Sequence, residues 1–380
     1  MKKKIYILSF VVASFAVLFA GCDNAEYEVK DNSVYLSDAA GATKSTTLTM
    51  DDGVDITVNV RLAKKIDKDV EVEIKLNPSL LDSYNEANNS EYYPLTDLQL
   101  PAGAKVTIPA GEIGAVYTIH VDDFDTGGKQ YALGVELGNV VAGGIEKSAS
   151  QSRFIYLLAK PLNVSVPILN GRSGAVKAAP ETNWGITTAQ WSLECWARMS
   201  AYSINNQAIF YTGSDDHEIY IRFGDANSPY NYLQIKTLGG QIQTPSDLEA
   251  NKWYHWAFVY DGTTLTIYQD GEERMKFDPP APAGGSVRFD YLQMISSGSY
   301  FRDQCAMSQV RLWKTAISQT QIKNNMYYSV NPANPDLISY WPMDEGDGNS
   351  FADITGNGHD ATADTGVVKG WEHGIRFDQQ

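Results

Sequence analysis

The sequence predicts an all-β protein made of two sandwich-like domains in series. Three observations carry that expectation. Apolar and polar residues alternate with period two in runs such as DITVNVRL (55–62) and VEVEIKL (70–76). Asp-Gly pairs and similar breakers separate the runs, as strand-turn-strand patterns require. With a leader of 22 residues set aside, about 358 of the 380 residues remain, more than one typical domain and suited to two.

The leader has three parts. Lys2, Lys3 and Lys4 supply positive charge, residues 5–19 are apolar apart from Ser9 and Ser14, and Ala20-Gly21 precede Cys22. The apolar run is short for a membrane span. Small-small-Cys at its end makes Cys22 the expected acylation site of a lipoprotein, with Phe19 standing where leucine is usual. The following Asp23-Asn24-Ala25-Glu26-Tyr27-Glu28 is acidic and resembles the surface-export signal of Bacteroidetes lipoproteins. The expectation is therefore a lipid-anchored protein of the outer membrane, facing outward.

Without the leader the chain has 27 basic and 46 acidic residues, net −19. Such a balance argues against nucleic acid and anionic membrane surfaces as ligands. Tyrosine is abundant at 22 residues, and the eight tryptophans lie after residue 180. An acidic, aromatic-rich exported protein fits a binder of polar sugars; aromatic strands of any sandwich give the same composition. Cys195 and Cys305 suit one disulfide or two buried thiols, the second being the expectation, and the sequence supplies no distance between them.

Residues 30–160 form the expected first domain, an Ig-like sandwich of seven-strand type with a short helix near 81–87. Its segment VTIPAGE (106–112) is similar to a domain of unknown function at the N-terminus of many Bacteroidetes surface lipoproteins, which implies a spacer or docking role. Lys160-Pro161 and Val166-Pro167 bracket an expected linker at 161–167.

Residues 168–380 form the expected second domain. WSLECWAR (191–198) reads as a strand. KWYHWAFVYDGTTLTIYQDGE (252–272) reads as a hairpin with turns at Asp261-Gly262 and Asp270-Gly271. In MSQVRLWKTAISQTQI (307–322) a strand runs into a helix capped by Ser318. LISYWPMDEG (337–346) leads into DITGNGHDA (353–361). In this order the blocks resemble a laminin-G-like domain of the concanavalin A-like jelly-roll type. The resemblance implies two packed antiparallel sheets with ligand and calcium sites on rim loops. It leaves function open, because that sandwich hosts lectins, glycosidases and adhesion modules.

No enzymatic pattern emerges. A retaining glycosidase needs two carboxylates ~5–5.5 Å apart, hence an even spacing on one strand. Glu194 has no acidic partner two or four residues away, and Asp344 lies in a Gly-rich turn. For sugar binding, aromatic rings stack on pyranose faces while nearby polar groups bond the hydroxyls. Strand parity places Tyr220 with Arg222, and Tyr232 with Gln234, on what is expected to be one solvent-facing surface. Tyr211, Asp215, Asp216, Tyr300 and Arg302 are added from the rim. Calcium wants six to eight oxygens, and Asp353, Asn357 and Asp360, with Asp344, are the candidate ligands. The glycines of that turn equally suit plain positive-φ geometry.

The leading expectation is a non-catalytic surface lipoprotein that captures a glycan for an uptake system. The alternatives are a protein-binding or assembly module of the envelope, and a glycoside hydrolase with an unfamiliar site.

Overall fold

The computed structural model describes residues 32–41, 44–88, 90–141, 144–178, 184–213, 218–280 and 285–380. Cys22, Asp215 and Asp216 lie outside the described residues. Among the described residues no helix is long and apolar enough to cross a membrane.

The alternation read in the sequence becomes two sheets around one core. Val54–Leu62 buries Ile56, Val58, Val60 and Leu62 on one face and exposes most of the intervening positions. It pairs antiparallel with Gly114–Val121 on one side and Ser33–Leu36 on the other. Val70–Leu76 lies in a second, six-stranded sheet beside Gln130–Val141. Side chains of the two sheets meet in a core that includes Ile56, Val58, Val72, Val135 and Leu137. Helix α1 (Leu80–Asn88) forms where a helix was expected. Leu81 anchors it in a small cluster with Ala132, Ile155 and Leu157.

The joint between the domains is shorter than the expected 161–167. Asn163–Leu169 is already a strand of the second domain, paired with Val368–Arg376 and, at Ile168 and Leu169, with Cys305–Trp313. A fixed φ and a missing N–H suit a break at either proline. Pro161 does precede the strand, but Pro167 sits just before the stretch that pairs on its other edge, where a missing N–H is tolerated.

The second domain is a sandwich of two eight-stranded sheets. One contains Tyr254–Tyr260, Trp191–Met199 and Cys305–Trp313 as central neighbours. The other runs in the order Gly240–Gln243, Leu233–Thr237, Ile219–Phe223, Gln207–Thr212, Leu292–Met294, Val176–Ala178, Ala361–Ala363, Ser350–Phe351. Trp191, Trp256, Phe210, Phe223 and Phe289 fill the space between them. Cys195 and Cys305 are free thiols buried in that core.

The outer faces of these two sheets differ. Helix α2 (Gln319–Asn325) and the chain around it close over the first. Ser318 caps α2 with a full capping box: its side chain accepts from the Gln321 N–H, and the Gln321 side chain accepts from the Ser318 N–H. Ile317, Ile322 and Tyr340 pack on Ala257, Val259 and Trp313, while Phe377 stacks flat on Trp196 with ring centroids 4.6 Å apart. The second sheet keeps its outer face open to solvent, which makes it the place to look for a site.

Candidate functional site

One cross-strand row crosses the whole open sheet. Direct pairing links Gln241 to Lys236, Lys236 to Tyr220, Tyr220 to Tyr211, and Tyr211 to Gln293. It continues through Lys177 and Thr362 to Ser350. Directly paired antiparallel residues share a face, and the alternate residues of these strands, such as Ile219, Ile221, Leu292 and Met294, belong to the core. The row therefore points outward. It is polar or aromatic at all eight positions, and each is exposed or partly exposed.

Beside this row lies a buried polar knot. Arg222 is paired with Gln234 across the strands. Its guanidinium donates to Gln234 Oε1 through Nε at 3.0 Å and Nη2 at 2.7 Å, and to Asn206 Oδ1 through Nη1 at 2.8 Å. Asp225 Oδ1 is 2.8 Å from Arg222 Nη2, and Asp225 Oδ2 accepts from Gln234 Nε2 at 3.1 Å. A nearly buried guanidinium needs such acceptors and a counter-charge. The Tyr220 hydroxyl also donates to Asn206 Oδ1, at 2.8 Å. Burial is the main reason that the Tyr220 phenol is held above the usual range.

The sequence-predicted residues thus divide. Tyr211 and Tyr220 lie on the open face, edge to face with centroids 5.9 Å apart, and Tyr211 also neighbours Tyr291 at 6.1 Å. Arg222, Gln234 and Tyr232 share the region but are only 9 %, 1 % and 3 % exposed, so the expected solvent-facing role is corrected for these three. Loop groups at Asn206 and Asp225 cover Arg222 and Gln234. The Tyr232 hydroxyl accepts the Asp225 N–H at 2.7 Å, which pins the covering loop. Tyr300 is 48 % exposed on a short 3-10 turn, Gly298–Tyr300. That turn follows Ser297, whose Oγ accepts from the Ala208 N–H at 3.1 Å, and Ala208 is the strand partner of Arg222. Tyr300 therefore borders the Arg222 end of the face. Arg302 follows it, giving its carbonyl to Asn170 Nδ2 at 3.1 Å.

Asn206, Asp225, Lys236 and Gln293 were not singled out from the sequence. Asp225 carried a local signal, an acid three residues after an arginine at a Gly-containing turn. Asn206 adopts φ 62°, a conformation asparagine tolerates better than most residues. Lys236 and Gln293 carried none.

The candidate calcium turn is occupied by its own backbone. Asp353 Oδ1 accepts from Tyr340 N–H at 3.0 Å and from the Thr355 hydroxyl at 2.8 Å, and Oδ2 accepts from His359 N–H at 3.2 Å. Asp360 accepts from Asp353 N–H at 2.8 Å, and Asn357 Nδ2 donates to the Leu337 and Ile338 carbonyls. Asp344 is elsewhere, accepting from the Ser165 N–H, with burial raising its carboxyl above the usual range. Among the described residues no three His, Cys, Asp or Glu converge as metal ligands.

Glu194 sits on the covered sheet, beneath the segments around α2. Its Oε1 accepts from Trp313 Nε1 at 3.1 Å and Arg311 Nη1 at 3.4 Å, and its Oε2 lies 3.6 Å from His255 Nε2. Burial raises Glu194 and lowers His255, the latter to about 3 with Arg311 adding to the effect. All three groups are about 1 % exposed.

Comparison with known proteins places this geometry. Residues 170–323 match the family model of the concanavalin A-like lectin/glucanases superfamily, laminin-G type, and residues 30–142 match a model of an N-terminal domain. No curated protein matches the chain. A solved structure from Bacteroides ovatus, named as a candidate carbohydrate-binding protein, shares the fold at TM-score 0.63 and 21 % identity, over 90 % of this chain and 97 % of its own. A heptameric SAP-like pentraxin from Limulus polyphemus aligns at TM-score 0.38 and 13 % identity, over 57 % of this chain and 96 % of its own. A two-domain Bacteroides fragilis protein of unknown function aligns at TM-score 0.30 and 13 % identity, over 70 % and 95 %. The chain thus carries a laminin-G-like domain of the concanavalin A-like lectin/glucanase superfamily behind an N-terminal β-sandwich.

Proposed function

We propose that the chain is a non-catalytic, lipid-anchored outer-membrane protein that captures carbohydrate on the open sheet face of its second domain. The observation that carries the reading is the outward row through Gln241, Lys236, Tyr220, Tyr211, Gln293 and Lys177. It sets two tyrosine rings among amide and ammonium donors, the combination that recognises a pyranose face and its hydroxyls. Support comes from the lectin/glucanase-type fold and from the carbohydrate-binding name given to the Bacteroides ovatus relative. Glu194 supports the non-catalytic part, because its carboxyl group is enclosed with Arg311 and Trp313 away from solvent. Cys22 supplies the anchor, and the acidic residues after it support an outward placement beside a glycan-uptake system.

The test is a glycan array and calorimetry on the chain from Asp23 onward. Binding to at least one plant or host polysaccharide is expected, lost in Tyr211→Ala/Tyr220→Ala with an unchanged circular dichroism spectrum. Silence across the array, or full binding by the double variant, would sink the reading.

A further inference from the structure

We infer that the cleft between the two domains is a second binding site, built for an anionic saccharide segment. The inference stands apart from the open-face reading and uses none of its residues. The cleft has a volume of about 390 Å³ and takes its walls from both domains. Ligand pockets begin at roughly this size.

The walls are aromatic and hydrogen-bonding. Tyr84 and Tyr92 come from the first domain, their rings edge to face with centroids 5.9 Å apart. Tyr327 and Tyr328 come from the second. Asn88 and Asn324 add amide groups from opposite sides. Rings with amides between them suit a sugar better than a purely apolar ligand.

The charged side chains that line the cleft have the sign opposite to the net charge of the chain. Acidic residues outnumber basic ones 46 to 30 overall. Among the described residues, the charged ones lining the cleft are all lysines: Lys129, Lys160 and Lys323. Lys160 and Lys323 face carboxylates at Asp123 and Glu272, 2.6 and 2.7 Å away, whereas Lys129 lies over the Tyr93 ring at 4.9 Å. Neither Asp123 nor Glu272 lines the cleft. Three ammonium groups at the opening, with Lys129 set over a ring, favour entry of a negative group.

The second-domain wall is also held in place before any ligand arrives. Arg311 donates to the Asn325 carbonyl at 3.2 Å and to the Tyr328 carbonyl at 2.6 Å, and Trp196 Nε1 donates to the Met326 carbonyl at 2.7 Å. The Leu162 N–H donates to the Tyr327 carbonyl at 2.9 Å. Four consecutive residues are thus fixed through their backbone, and the Tyr327 ring is held 5.8 Å from the Trp196 ring between centroids, so this lining of the cleft is ordered at little cost on binding. The buried Glu194–Arg311 pair gains a role from this, as the anchor of that wall.

The test uses the full chain from Asp23 onward and three tetrasaccharide probes: a galacturonate, a heparin-derived sulfated one, and uncharged maltotetraose. Calorimetry should detect one or both anionic probes, with affinity falling as salt rises. Binding of the uronate alone assigns carboxylate, and of the heparin-derived probe alone assigns sulfate. Lys129→Ala/Lys323→Ala should weaken that binding about tenfold with an unchanged melting temperature. Tyr211→Ala/Tyr220→Ala, on the open face, should leave it unaltered. No binding of either anionic probe, undiminished binding by the lysine variant, or loss in the tyrosine variant instead would overturn the inference. The tyrosine arm keeps its failure separate from failure of the open-face reading.

Discussion

Tyr220 and Arg222 converge on a single acceptor: both donate to Asn206 Oδ1 at 2.8 Å, and the guanidinium carbon lies 5.5 Å from the centre of the Tyr220 ring. One loop amide thereby fixes a partly exposed ring and a buried cation together. The open face is consequently a rigid surface at this point, and its rigidity hangs on a residue outside the sheet.

Asn206 can be separated into its two roles. Its amide satisfies Arg222 and Tyr220, and its backbone holds φ 62°. Asn206→Gly keeps the backbone and removes the acceptor, so about 1–3 kcal/mol of stability should be lost. Asn206→Ala adds the left-handed penalty, about 1 kcal/mol more. Urea unfolding of both variants measures the pair of values. Equal stability of Asn206→Gly and wild type would show that Asn206 does not hold the knot.

His255 makes the fold acid-sensitive. Burial and the Arg311 charge lower its folded pKa to about 3, against 6.5 for the unfolded chain. The unfolded state therefore binds the extra proton between those values, and stability falls as pH drops from 6.5 towards 3. At pH 5 the loss from this group is about 2 kcal/mol relative to pH 7. Glu194 works in the opposite sense, because burial raises its carboxyl. His255→Gln isolates the histidine: its unfolding free energy should fall less between pH 7 and pH 5 than that of wild type, whatever its absolute stability. Parallel curves for the two proteins would refute the assignment.

The turn at 353–360 is expected to behave as a structural clasp. Asp353 already accepts from Tyr340, Thr355 and His359, so a cation would have to displace hydrogen bonds that hold the segment. Excess EGTA should leave the melting temperature unmoved, and added calcium should not raise it. Asp353→Ala, which leaves those buried donors unpaired, should cost about 3 kcal/mol or more. A calcium-dependent rise in melting temperature would instead identify the turn as a calcium site.

Local chemistry was legible in the sequence and long-range order was not. The alternation of Val54–Leu62, the Ser318 cap and the Asp270-Gly271 turn are decided by residues a few positions apart, and each forms as expected. Parity also placed Tyr220 and Arg222 on one side of their strand. Burial of Arg222 was hidden because its covering groups, Asn206 and Asp225, sit in loops on either side. The row across the open sheet was hidden for a topological reason. Its members run 241, 236, 220, 211, 293, 177, 362, 350, and no periodicity within one strand reveals which strands become neighbours. Pro167 shows the converse error, a local breaker signal overridden by an edge position that does not need its N–H.

The domain junction rests on a glycine. Gly128 has φ 73°, and a Cβ placed there would lie 2.2 Å from the Val330 carbonyl oxygen in the second domain. Its neighbour Gly127 has φ 55° with open space around it. Gly127→Ala should therefore show only the left-handed backbone penalty, about 1 kcal/mol. Gly128→Ala carries the same penalty and must also push Val330, which belongs to the cluster with Trp313, Ile322 and Tyr340. That cluster is the packing of α2 on the covered sheet, so the domains should part there rather than the cluster yield. Calorimetric unfolding of Gly128→Ala should separate into two transitions where the Gly127→Ala protein keeps the wild-type shape, shifted to slightly lower temperature. The Arg376–Asp51 contact, 2.6 Å between Nη1 and Oδ1, is a charge pair with one partner largely exposed and cannot hold the junction alone. Identical profiles for the two alanine variants would mean that the Gly128–Val330 contact does not couple the domains.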